Sequence, residues 1–181
     1  VTDIDSLAST LLEESKRFLE KAQETQESVA QHAYLHASLS LGFSALEAHI
    51  NAIIDEQLER TDLSLHERAF LSERKIDLRA GVFVIQDVLQ MQRIDDRIAF
   101  LWSRCSVSPP YDYQSKPWSQ LKEGLKVRNS LTHPKEQPDL TIDKVTRSLS
   151  AIIEIIDTAF QRIYGKTLPA KKRGLQSVLN F

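Results

Sequence analysis

The chain has 181 residues, 41% hydrophobic and 27% charged, which is the composition of a folded globular domain with room for one sizeable core. Its formal net charge of −2 excludes a globally basic nucleic-acid binder, though not a local basic patch. The lone cysteine, Cys105, excludes an internal disulfide and makes no metal site by itself.

With only 5 glycines and 6 prolines, the chain favours long helices over turn-rich β structure. No apolar run reaches about 18 residues, so no membrane span is expected. The first residues lack a secretory-leader pattern, and a cytoplasmic location is expected.

Residues 4 to about 28 read as a first helix, with Asp3 or Asp5 as a possible cap and Leu7, Leu11, Phe18, Leu19 and Ala22 as its inner stripe. Apolar periodicity lapses between Glu24 and Gln31, which predicts a break. A second helix runs from about Ala33 to Glu59. Its stripe is Leu39, Phe43, Leu46, Ile50, Ile53 and Gln57, and the rod is about 40 Å long, enough for the centre of a bundle. Glu47 flanks this stripe.

Ser64-Leu65-His66-Glu67 is a capping-box pattern that starts a short third helix at Leu65. Val82-Phe83-Val84-Ile85 has the propensity of a strand. A lone strand in a helical chain lacks a partner, so a short helix or turn is expected across residues 75–91. A further helix is predicted from Asp95 to Cys105, with Ile94, Ile98, Leu101 and Trp102 inward. Ser106 to Lys116 reads as a loop. The last long helix is capped by Thr141 and runs from Ile142 to Tyr164, with Val145, Leu149, Ile152, Ile153, Ile156, Phe160 and Ile163 inward. Gly165 suits its C-terminal cap. The expected architecture is therefore all-α: a single-domain antiparallel bundle of about five helices over residues 1–164, with a basic and then apolar tail at 165–181. A structure with more than a few residues of paired β-strand would overturn that class.

Between the loop and the last helix, Trp118, Leu121, Leu125, Arg128 and Thr132 share one helix face. The stripe runs into an arginine, and an inward guanidinium needs an acceptor. Glu47 is the carboxylate expected to meet it, although an exposed Glu47 fits the spacing equally well. Pro134 pushes His133 away from helical dihedrals, so His133 lies at the end of this helix. Two readings stand for the pair. One is an interior ion pair plus a solvated imidazole at a helix C-terminus. The other is a functional site, since His titrates near neutral pH and Arg stays charged and can bind phosphate bidentately.

Arg128-Asn129-x-x-x-His133-Pro134 closing a helix, together with Ala45-Leu46-Glu47-x-x-Ile50-Asn51 on a long upstream helix, resembles the HEPN family (higher eukaryotes and prokaryotes nucleotide-binding) over roughly residues 30–165. Lys135 stands where one variant of the family has Tyr. The resemblance implies a metal-independent endoribonuclease of a bacterial toxin, defence or stress system, active as a homodimer on RNA. Arg128 and His133 would be catalytic, with Asn129 and Glu47 in support, no cofactor and an antitoxin or other partner protein. It equally allows a catalytically silent module that dimerises or docks onto a partner enzyme.

Other candidates read more plainly. His32 and His36 have a metal-compatible spacing but no third ligand, so they and His49 are expected to be surface histidines. Tyr111, Tyr113 and Trp118 have the chemistry to stack bases. Trp118, however, is about 22 Å of helix from His133 and reads as core. Lys171-Lys172-Arg173 reads as a solvated basic tail, or a contact for RNA phosphate.

Overall fold

In a computed structural model, residues 3–104, 109–133 and 139–181 are described. Six α-helices account for most of them: α1 (Asp3–Glu24), α2 (Ser28–Leu58), α3 (Leu65–Leu71), α4 (Ile94–Arg104), α5 (Lys116–Thr132) and α6 (Ile142–Tyr164). Between α3 and α4 lie two strands, β1 (Arg74–Arg79) and β2 (Val82–Leu89).

The expected break after the first helix is at residues 25–27, where the Glu27 carboxylate accepts the Ala30 N–H at 3.0 Å and starts α2. α1 and α2 then run antiparallel in close contact. The Ser15 hydroxyl donates to the Ser38 carbonyl at 2.7 Å, and the Ser38 hydroxyl donates to the Ser15 carbonyl at 2.9 Å. α6 crosses at the same level. A Cβ on Gly42 would lie 2.6 Å from Leu149 Cδ2, so the lack of a side chain there lets α2 and α6 meet. Leu39, Phe43, Leu46, Ile50 and Ile53 of α2 are buried, as are Val145, Leu149, Ile152, Ile153 and Ile156 of α6. By length and composition α2 passes for a membrane-crossing helix, with a mean hydropathy of 1.2, but 56% of that window is buried within the protein. A bundle's central helix meets the same test because it is apolar on several sides.

The first helix is phased differently from the expected stripe. Leu7 is exposed, and Ala8, Leu12, Ser15, Leu19 and Ala22 are buried. Lys16 is wholly buried. Its ammonium donates to Glu13 at 3.2 Å and to the Ala170 carbonyl at 3.3 Å.

The all-α expectation needs correction at residues 75–91. β1 and β2 form an antiparallel hairpin with Ile76 opposite Ile85, Leu78 opposite Phe83 and Arg79 opposite Val82. The strand at 82–89 finds its partner in the preceding residues, folded over Ala80 and Gly81, whose φ angles are 49° and 82°. Two positive φ values in a two-residue loop match the twist of a hairpin. Among the described residues the fold is mainly helical, with six α-helices where about five were expected, plus a two-stranded sheet.

Ser64 and Glu67 make the expected reciprocal cap of α3, at 3.3 and 2.8 Å. Cys105, and with it the predicted end of the fourth helix, lies outside the described residues. After Gly165 (φ 64°), the C-terminal residues fold back onto α1 and α6. A 3-10 turn spans Pro169–Arg173. Lys171 pairs with Asp157 at 2.5 Å and Glu154 at 2.9 Å, and Arg173 pairs with Glu13 at 2.7 Å. Two of the three expected tail cations are thus tied into the domain, which corrects the reading of a solvated tail.

Candidate functional site

α5 starts at Lys116 with Pro117 in its first turn, where a missing N–H costs nothing. Trp118, Leu121 and Gly124 form its buried face. A Cβ on Gly124 would lie 2.7 Å from the Ser148 hydroxyl of α6 and 3.1 Å from the Phe43 ring of α2. This close approach turns the helix slightly from the expected face. Leu125 and Arg128 sit on the rim and Thr132 is exposed.

The Arg128 guanidinium donates to Glu47 of α2 at 3.1 Å. The expected ion pair is present, but at the edge of the core: the two side chains keep 34% and 39% of their surface exposed. Such a pair contributes about 0–1 kcal/mol and holds Arg128 without consuming all its donors. Another Arg128 N–H reaches the Asn129 side-chain oxygen at 3.4 Å. Arg128, Asn129 and Glu47 are therefore gathered at one place.

His133 caps α5 with non-helical dihedrals (φ −127°, ψ 67°), and its N–H donates to the Asn129 carbonyl at 2.9 Å. Its ring is exposed. Five helical positions rotate the chain through about 500°, so Arg128 and His133 leave α5 on different sides. Pro134 and Lys135 lie outside the described residues.

Glu47, Arg128 and Asn129 line a cleft of about 440 Å³ between α2, α5 and the start of α4, while His133 does not. The cleft holds residues that were not singled out in the sequence: Arg93, Arg97, Lys122 and Lys126, together with Glu73 and Asp95. Glu73 has a positive φ of 52°. Its carboxylate accepts the Gln92 N–H at 2.8 Å and pairs with Arg97 at 3.3 Å, which fastens the segment after β2 to the cleft wall.

The remaining candidates lie apart. Trp118 is buried in an aromatic cluster with Trp102, Tyr111 and Tyr113; the Trp102 and Tyr111 centroids are 3.8 Å apart. His49 is a correction to the surface reading. It is 4% exposed, with its ring edge-on to Phe160. Burial pushes its pKa down to about 4 against a weaker opposing pull from Asp5. His36 is exposed and His32 half-buried. Among the described residues no three His, Cys, Asp or Glu side chains are grouped to hold a metal ion.

No family model, no curated protein and no solved structure matches this chain.

Proposed function

We propose that this protein is a HEPN-type endoribonuclease that cleaves RNA through a site shared by two copies of the chain. The observation that carries this reading is the state of Arg128: Glu47 holds it at 3.1 Å, yet a third of its side chain stays open to solvent beside the exposed end of the helix that bears His133.

Cleavage would proceed by attack of the 2′-oxygen on the adjacent phosphorus. A base removes the 2′-hydroxyl proton, an acid protonates the departing 5′-oxygen, and a cation stabilises the charge on the equatorial oxygens. One chain offers one imidazole at this place. A two-fold interface repeats each patch, so a second copy would add a second His133 and a second Arg128. His133 then serves as base or acid, Arg128 binds phosphate, and Asn129 and Glu47 orient the guanidinium. The proposed setting is a cytoplasmic bacterial toxin, defence or stress system with an antitoxin or similar partner.

The test incubates purified protein with a mixed RNA pool in the presence of chelator. Cleavage by the wild type and none by a folded His133→Ala supports the reading. Intact RNA with a folded wild-type dimer refutes it.

One observation favours a second reading, a silent docking module. The hairpin leaves Leu78, Val82, Phe83, Val88 and Leu89 exposed, which is an unusual concentration of apolar surface for one short element.

A further inference from the structure

The cleft beside Arg128 carries a charge pattern that His133 plays no part in. Arg93 and Arg97 lie four residues apart at the start of α4, where the Arg97 N–H donates to the Arg93 carbonyl at 3.0 Å. Lys122 and Lys126 lie four apart on α5. All four line the cleft. Lys122 and Lys126 are like charges one turn apart on α5, a spacing that weakens a helix by a few tenths of a kcal/mol. The segment entering α4 and the face of α5 thus bring four cations to one cavity.

With Arg128, the lining has five cations against three carboxylates, and Asp96 just outside it also faces Arg93 at 3.8 Å, so the cleft is net cationic. The carboxylates are already engaged. Glu47 holds Arg128 and Glu73 holds Arg97, while Asp95 is shared by Arg93 at 2.8 Å and Lys122 at 3.6 Å. Lys126 is exposed and lacks a partner among the described residues.

Arg97 lies deepest, 5% exposed. One terminal nitrogen pairs with Glu73, and the other donates to the Asn51 side-chain oxygen at 2.8 Å. Its Nε is buried with no acceptor among the described residues. A buried donor without a partner costs about 1–3 kcal/mol, which Arg97 bears at the wall of the cleft. Burial also draws the Arg97 guanidinium below its usual pKa, opposed by Glu73, Glu47 and Asp55. Met91, Ile94 and Leu125 interleave with these cations in the lining and give it apolar surface. The volume, about 440 Å³, is that of a small-molecule site.

We propose that this cleft binds an organic phosphomonoester within a single chain. The dianionic phosphoryl group sits among Arg93, Arg97, Lys122 and Lys126, and a compact organic group lies against Met91, Ile94 and Leu125. A phosphomonoester carries about −1.5 to −2 charges at pH 7 and so suits a net cationic cleft better than a phosphodiester linkage in RNA, which carries one.

Isothermal titration of the full chain tests this with ribose 5-phosphate, adenosine 5′-monophosphate, inorganic phosphate, adenosine and a dinucleoside monophosphate. Expected is saturable binding of at least one phosphomonoester, tighter than inorganic phosphate and absent for adenosine. Lys126→Glu, at an exposed and unpartnered position, should weaken it at least tenfold, and His133→Ala should leave it unchanged. The proposal is overturned if no phosphomonoester binds at millimolar concentration, if Lys126→Glu binds as tightly as the wild type, or if inorganic phosphate or the dinucleoside monophosphate binds equally well. Equal binding of the dinucleoside monophosphate would make the cleft a path for an RNA backbone.

Discussion

Arg128 and Glu47 are 81 positions apart in sequence and 3.1 Å apart in space, joining the end of α5 to the middle of α2. Both side chains are more than one-third exposed or close to it, so their attraction is screened. A double-mutant cycle with Glu47→Gln and Arg128→Gln, measured by urea denaturation, should give a coupling of about 0.2–1 kcal/mol. A coupling above about 3 kcal/mol would mean a buried pair and would contradict the rim position.

Gly124 sets how closely α5 approaches α6 and therefore where Arg128 projects. Gly124→Leu would drive a side chain into Ser148 and Phe43, whose nearest atoms would be 2.7 and 3.1 Å from the new Cβ. The variant should lose about 1–3 kcal/mol of stability by denaturant titration, despite the better helix propensity of leucine. No loss would show that the contact between the helices is looser than described.

His49 makes stability depend on pH. Its folded pKa is about 4, below the ordinary 6.5, because burial disfavours the charged ring. Above pH 6.5 the ring is neutral in both states. As pH falls from there toward 4, the unfolded chain binds a proton that the folded chain refuses, so stability is lost. The loss through this window should be on the order of 3 kcal/mol. His49→Leu should flatten that part of the stability–pH curve, measured by thermal or urea denaturation between pH 7 and 4. An unchanged curve would assign the dependence to other groups.

Asp157 is buried on α6 and accepts from the Lys171 ammonium at 2.5 Å and from the Leu168 N–H at 2.8 Å. Lys171→Met should cost about 1.5–3 kcal/mol by removing a hydrogen bond between charged groups at a buried carboxylate. It should also raise protease susceptibility after residue 165. Wild-type stability in this variant would mean that the tail is held chiefly by its apolar contacts.

The parts of this fold that were legible in sequence are those set by local rules. The stripes of α2 and α6 follow the helical period, and the Ser64–Glu67 cap needs only a three-residue spacing. The hairpin is not legible from Val82–Ile85 alone, because its partner comes from Ile76 and Leu78 across the Ala80-Gly81 turn. The burial of Lys16 has no local signal, since the Ala170 carbonyl that accepts from it is 154 positions away. In the site, the Arg128 stripe pointed to an acceptor, and Glu47 was the carboxylate beside the matching stripe. The cleft cations are hidden in sequence because Arg93 and Arg97 come from the entry to α4 and its first turn and Lys122 and Lys126 from α5, and each pair alone looks like a solvated face. His49 was misplaced because α2 is covered on several sides, and its stripe alone understates what is buried.

The central claim is that Arg128 and His133 act together on RNA, and the termini of the released fragments test it most directly. Wild-type protein in chelator should leave a 2′,3′-cyclic phosphate on one fragment and a 5′-hydroxyl on the other, because the attacking oxygen is the RNA's own 2′-hydroxyl. His133→Ala and Arg128→Ala should release neither. Fragments ending in 5′-phosphate and 3′-hydroxyl, or cleavage that survives His133→Ala, would contradict the account.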